Sequence, residues 1–181
     1  MLNFCKTTLS ILLSIFTLSL LSQTFTFDDP WNQAGFNLTM ESGTGIEIIY
    51  SVHEFNMDEV SVKGAAMKAI HLPGNLIPNN EGAPDLSGSS HYIAVPQGAT
   101  AIFNVVSFRK ETYQNVEVAP APRIPLDTDN SPLAYNKDES IYAVDAFYPE
   151  NPFILSEQTS IRGVDAVMLG ITPFQYNPVS K

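Results

Sequence analysis

Residues 59–72 read EVSVKGAAMKAIHL, and the fold class turns on whether this stretch is one helix or two strands. Its alanines suit a helix. Gly64 sits in the middle, however, and the β-branched Val60, Val62 and Ile70 flank it, which favours two strands with a bulge at the glycine. The rest of the chain agrees. Beyond residue 25 no apolar pattern of helical period persists, and thirteen prolines and ten glycines punctuate short β-branched and aromatic runs.

Strands are expected over residues 45–52 (GIEIIYSV), 59–63, 66–72, 91–95, 100–109, 113–119, 141–143, 153–155 and 161–171. In TAIFNVVSF (100–108), Ile102, Asn104 and Val106 alternate with Phe103, Val105 and Ser107, the period of a strand. NLIPNNEGAPDLSGSS (75–90) is loop by composition. No internal repeat is present. This number and spacing of strands predicts one all-β domain, an antiparallel β-sandwich of jelly-roll-like type.

The first residues belong to a different class. MLNFCK carries Lys6 and no acid, and TTLSILLSIFTLSLLS follows as an apolar run broken only by Ser and Thr. That is the charged and hydrophobic order of a secretory signal peptide, too short to span a bilayer comfortably. Segment 1–24 is therefore expected to be removed. Small residues at Ser22 and Thr24 suit a cut after Thr24, and a cut just before Gln23 is the alternative. The domain would run over 25–181, secreted or periplasmic, with no stable membrane anchor after processing.

Cys5 lies in that leader, so the expected mature chain has no cysteine. Disulfides, zinc–thiolate sites and cysteine nucleophiles are excluded, and stability must come from burial. Lys6 departs as well, leaving eight of the nine basic residues against nineteen acids and a net charge of −11. Nucleic acid and anionic lipid are disfavoured as partners. A basic partner fits the charge, as does simple solubility.

No catalytic or cofactor constellation emerges. His53, His71 and His91 lack metal-ligand spacing and read as strand residues, and HEFNMDE (53–59) is not a zinc-binding H-E-x-x-H. Asp127 and Asp129 resemble half of a calcium loop whose glycine and distal glutamate are missing, so a turn is expected. Ser89 and Ser90 precede His91, but neighbours on a strand face opposite ways and cannot act as nucleophile and base.

Several blocks, taken together, resemble the propeptide of gingipain-type cysteine endopeptidases of Bacteroidetes. They are GAPDLSGSSHYIAVPQGATA (82–101), YQNVEVAPAPRIP (113–125), Tyr142 with FYPENPF (147–153), and SIRGVDAVMLGITPFQYNPVSK (160–181). The likeness covers roughly residues 82–181 and is looser from 36 to 81. Ser87 departs from the family, which usually has proline after the leucine of G-x-P-x-L. The peptidase domain with its histidine and cysteine does not follow, so the chain is not expected to be an enzyme. In the family a further strand follows the Y-N-P element. The domain is therefore expected to be truncated at its C-terminal end, with an open edge at which Phe174 and Tyr176 are partly exposed.

The resemblance implies a β-sandwich that binds its cognate cysteine peptidase, in cis or in trans, assists its folding and blocks its active site. It implies no cofactor. In EVAPAPRIPLDTDN (117–130), Pro120, Pro122 and Pro125 hold the backbone extended around Arg123, the only charge before Asp127. Such a loop suits presentation of one guanidinium to a pocket with a buried acid. The alternative is a plain crossover with a solvated arginine. Arg109 and Lys110, at an expected hairpin tip, are rival contacts, and Arg162 is expected to pair with an acid beside a glycine turn. The alternative function is a stand-alone carbohydrate- or surface-binding sandwich using Trp31, Tyr92, Tyr113 or Tyr135 as stacking platforms. A secreted hydrolase comes third. The domain is expected to be monomeric.

Overall fold

The computed structural model describes residues 22–43, 45–75 and 80–181. Nine strands and one turn of helix run along it. The strands are β1 (Gln23–Thr26), β2 (Gly35–Ser42), β3 (Gly45–Ser51), β4 (Glu54–Val62), β5 (Ala65–His71), β6 (Ser89–Ala94), β7 (Phe153–Leu155), β8 (Thr159–Ile161) and β9 (Val164–Ile171). The helix α1 spans Glu139–Tyr142. Every strand pair is antiparallel. One sheet has the order β1-β4-β5, β2 and β3 form a hairpin, and a third sheet has the order β6-β9-β7 with β8 also on β9. The whole is an all-β sandwich, as the sequence predicts. Among the described residues, no helix is long and apolar enough to cross a membrane.

The stretch EVSVKGAAMKAIHL is two strands. β4 and β5 pair without interruption from Asn56 opposite His71 to Val62 opposite Ala65. Lys63 and Gly64 make the turn with φ of 51° and 87°, the left-handed pair that a two-residue hairpin requires. Gly64 therefore serves the turn, and the expected bulge is absent there. The register shift lies instead in the β2–β3 hairpin, between Leu38 and Met40. Segment 161–171 is likewise a hairpin, because Arg162 and Gly163 adopt φ of 51° and 83° and separate β8 from β9.

Three expected strands do not form. Residues 100–109 and 113–119 join no ladder, apart from the bridge of Val118 with Lys68, and Asn115 adopts a φ of 59°. A strand is defined by a partner, and β-propensity supplies none. The expected hairpin tip at Arg109 and Lys110 goes with them. Ile141 and Tyr142 fall in α1 and Ala143 is its C-cap, while the N-cap Asp138 accepts hydrogen bonds from the backbone and hydroxyl of Ser140 at 2.9 and 2.6 Å.

The β4–β5 sheet is buried on both faces: alternation places Phe55, Met57 and Ile70 on one face and Val62 and Met67 on the other. Phe55, 1% exposed, centres the main core with Met57, Ile70, Leu72, Leu86, Val118 and Tyr176. Its ring stacks on Phe25 with centroids 5.0 Å apart and meets Tyr113 and Phe174 edge-on at 5.6 and 5.2 Å. Tyr176, expected to be partly exposed, is only 6% so. It exchanges two backbone hydrogen bonds of 2.8 Å with Tyr148, one isolated bridge that ties this residue to the fold. Phe174 is half-buried against the same core.

Removing the ring at the centre of this cluster leaves a cavity lined by other rings that cannot all collapse into it. Phe55→Ala is expected to cost about 3–5 kcal/mol, read as a lowered denaturant midpoint. A loss below about 1 kcal/mol, ordinary for a peripheral site, would place the core elsewhere.

Candidate functional site

The proline-bracketed arginine stands on a buried root. Val118, Ala119, Pro120 and Ala121 are all buried and hydrogen-bonded on two sides. Toward β5, Lys68 N–H donates to Glu117 O at 2.7 Å and Ala119 N–H donates to Lys68 O at 2.8 Å. Toward the 82–85 segment, Asp85 N–H reaches Ala119 O at 2.9 Å and Ala121 N–H reaches Ala83 O at 2.7 Å. Pro120 and Pro84 face each other at the intervening pair. In an antiparallel ladder that position uses neither residue's own N–H, so two prolines fit without losing a bond.

Gly82 closes the root. It donates to Ala121 O at 3.0 Å and accepts from Asp138 N–H at 2.9 Å. Its φ is +84°, and a Cβ there would lie 3.0 Å from Asn136 O, so both conformation and space require glycine. Tyr142 Oη donates to Val118 O at 2.9 Å, and burial pushes its phenol well above the usual range.

Glu117 forms a clamp beneath. Its carboxylate meets Lys181 Nζ at 2.9 Å and Lys137 Nζ at 3.2 Å, while Asn115 N–H donates to Lys181 O at 3.0 Å. The Lys181 hydrogen bond, reinforced by Lys137, holds Glu117 below the usual carboxylate range, and Glu117 in turn raises Lys181.

Beyond this root the chain turns outward. Arg123 is exposed, tied to the fold through its backbone N–H to Ala134 O at 3.3 Å, and its side chain makes no ion pair among the described residues. Ile124 and Leu126 beside it are exposed as well. Asp129 N–H donates to Leu126 O at 2.8 Å, and its carboxylate accepts from the Ser131 backbone and hydroxyl at 2.9 and 2.6 Å. The acidic pair thus lies in a turn, as expected.

The rivals differ. Arg109 Nη1 is 3.1 Å from Asp29 Oδ2, and its guanidinium lies 4.2 Å from the Trp31 ring centroid, so it is already engaged. Lys110 is exposed and makes no ion pair among the described residues. The same holds for Arg162, for which an acid partner was expected; its turn leaves it in solvent. Of the four stacking candidates, Trp31 holds Arg109, Tyr113 packs on Phe25 and Phe55, and Tyr135 packs on the Val62 and Met67 cluster. Only Tyr92, 63% exposed, offers an open ring.

The histidines are dispersed. His53 Nε2 is 3.0 Å from Asn32 O, His71 Nε2 is 3.4 Å from Asp58 Oδ2, and the His91 ring lies 4.0 Å from that of Phe36. Ser89 Oγ donates to Tyr50 Oη at 3.3 Å. An open groove of about 450 Å³ contains Phe36, Tyr50, His53, Leu72 and His91 but nothing from the proline loop.

The sequence pattern of the Propeptide_C25 family matches residues 37–181. The chain belongs to the Propeptide_C25 family. Lys-gingipain HG66 and Lys-gingipain W83 of Porphyromonas gingivalis are each 27% identical over 139 residues. That is 72% of this chain but 8% of each relative, so the chain spans under a tenth of the curated relatives it matches. In three dimensions it is similar to a chain in the complex of P. gingivalis RgpB pro- and mature domains, with a TM-score of 0.74 at 21% identity, covering 81% of this chain and 77% of that one. It is also similar to a structure concerned with the zymogenic latency of P. gingivalis gingipain K, with a TM-score of 0.69 at 25% identity, covering 88% and 90%. The chain is thus a gingipain-type propeptide, and the resemblance seen in its motifs is correct.

The Glu117 clamp gives a pH test of how firmly the loop root is held. A carboxylate with a lowered folded pKa contributes its full stabilisation above the ordinary range and loses it as pH falls through the lowered value. Lys181, raised, contributes below its unfolded pKa and loses that contribution as alkali titrates the folded amine. Glu117→Gln is therefore expected to melt below wild type at neutral pH and to converge with it in acid. The effect should be modest, because the pair is half-exposed. A gap that persists undiminished into acid would assign the role of Glu117 to packing.

Proposed function

We propose that the chain is the inhibitory and chaperone-like propeptide domain of a secreted gingipain-type cysteine endopeptidase, and that Arg123 is its contact with the peptidase active site. The observation that carries this reading is the exposed, unpaired Arg123 on a loop whose root is buried and hydrogen-bonded on two faces. Prolines on either side have already removed much of the backbone entropy that docking would otherwise cost. A rigid loop also resists being drawn into the geometry that peptide cleavage needs. The similarity to a pro- and mature-domain complex supports a peptidase partner, in cis or in trans. The carbohydrate-binding alternative is weakened, because three of its four aromatic platforms are engaged within the fold.

Arg123→Ala is expected to weaken inhibition of a gingipain-type peptidase, assayed on a small basic substrate, by a few kcal/mol of binding, as for a truncated buried charge pair. Its melting free energy should change by no more than about 0.5 kcal/mol, as for an exposed residue. Lys110→Ala and Arg109→Ala are the comparisons. A larger loss in Lys110→Ala would move the contact there. Equal inhibition by all three variants and wild type would transfer it to the sandwich surface.

We further propose export by cleavage of the N-terminal leader just before Gln23. Strand β1 begins at Gln23, which pairs with Met57, while Thr24 pairs with Asn56 and its hydroxyl donates to Asn56 Oδ1 at 2.7 Å. A cut after Thr24 would discard half of β1 and that hydrogen bond. N-terminal sequencing of the exported protein should begin at Gln23; a start at Phe25 would show that the sheet tolerates the shorter strand.

A further inference from the structure

Residues 100–112 are the least integrated stretch of the described fold. Among the described residues, none of their backbone groups hydrogen-bonds to another part of the chain. Their side chains are nonetheless those of a strand. Ile102 is 84% exposed, Val106 94% and Phe108 67%, so one row of the alternation projects into solvent. The other row is less exposed, Phe103 at 37% and Val105 at 45%, and Phe103 lies against Phe153 at a centroid distance of 5.6 Å. Arg109 pins one end through Asp29 and Trp31. An apolar segment of strand-like alternation whose N–H and C=O groups make no backbone hydrogen bond within the described chain is a template for another strand.

We propose that residues 100–109 form a self-pairing edge through which two copies of this chain join as a symmetric dimer, in place of the monomer expected from sequence. Charge favours a second copy. The chain carries a net charge of −10, yet residues 86–108 contain no Asp, Glu, Lys or Arg. Two such acidic molecules therefore meet with least repulsion along this segment. The segment is also self-complementary. A twofold axis perpendicular to the sheet preserves the face of every side chain, so residues of like parity oppose one another. Centred on Asn104, that register sets Ile102 against Val106 of the second copy and Phe103 against its Val105. The Asn104 pair lies between these contacts, and each apolar pair occurs twice. Arg109 then faces Ala99 of the other copy, so no like charges are opposed. Cross-strand apolar and β-branched pairs of this kind stabilise a ladder that the backbone groups complete.

Sedimentation equilibrium of the purified chain across the micromolar range, with far-ultraviolet circular dichroism of every variant, tests this. Wild type should show a concentration-dependent dimer. Val106→Lys, a change at an exposed position that should leave the spectrum intact, is expected to raise the dissociation constant by roughly tenfold or more, the loss of one good apolar contact. Ile102→Lys should act alike, while Val179→Lys, at an exposed position outside the segment, should leave the dimer as it is. Arg123→Ala should also leave it as it is, which separates this inference from the inhibitory reading. A wild type that stays monomeric throughout, or a dimer indifferent to both edge lysines, would overturn the proposal.

Discussion

The fold and its candidate site both hang on one buried tetrapeptide, residues 118–121, hydrogen-bonded on two edges at once. On one side it lies parallel to β5 through Lys68, and on the other antiparallel to residues 82–85. Each buried backbone group left without a partner would cost on the order of 1–3 kcal/mol. Losing either neighbour would therefore remove several such bonds together. The side chains add to this constraint: Val118 packs in the core around Phe55, and Ala119 packs with Val62 and Met67. Small residues are needed because strands approach from two sides, and Ala119 and Ala83 have no measurable exposure.

This arrangement explains why prolines can stand in the middle of a sheet-like region. Proline is normally confined to edges because it removes a donor. Pro84 and Pro120 share the one kind of antiparallel pair where no donor is used, so both are accommodated and both stiffen the backbone. The rigidity then extends outward. Pro122 and Pro125 continue the extended path, and the Arg123 backbone is caught by Ala134. A solvent-facing arginine follows from a dry, fully bonded base.

Much of this was legible in the sequence, and the limits have physical causes. The β4–β5 and β8–β9 hairpins were readable as strand-forming segments because alternation and glycine are local signals. Their turns are less legible: Gly64 reads as a bulge, and segment 161–171 reads as one strand although a glycine turn is expected beside Arg162, since a positive φ at Lys63 or Arg162 leaves no mark in composition. Residues 100–109 show the opposite failure. Their alternation is as clean as any in the chain, but the partner a ladder needs is a property of the fold. α1 was missed although Asp138 and Ser140 spell its cap, because one turn is too short to show a period. β1 and β2 were not anticipated at all, the first because the leader was expected to reach Thr24. At the site, the brace around Arg123 was legible because proline acts on its own backbone. The engagement of Arg109 was not, because Asp29 and Trp31 lie some eighty residues away.

Arg109 and Arg123 share their chemistry and differ in surroundings. At Arg109 the guanidinium already has a carboxylate and an aromatic face, and docking would have to break both before any gain. At Arg123 the nearest neighbours in sequence are proline and isoleucine, neither able to compete for the charge. Its solvation is lost on docking, but no internal pair is. Lys110 and Arg162 are also exposed and unpaired among the described residues, so what sets Arg123 apart is its proline-bracketed backbone on a buried root rather than its free charge. A plain crossover with a solvated arginine would need neither that bracket nor a root bonded on two sides, which is why the proposal rests on the backbone around Arg123.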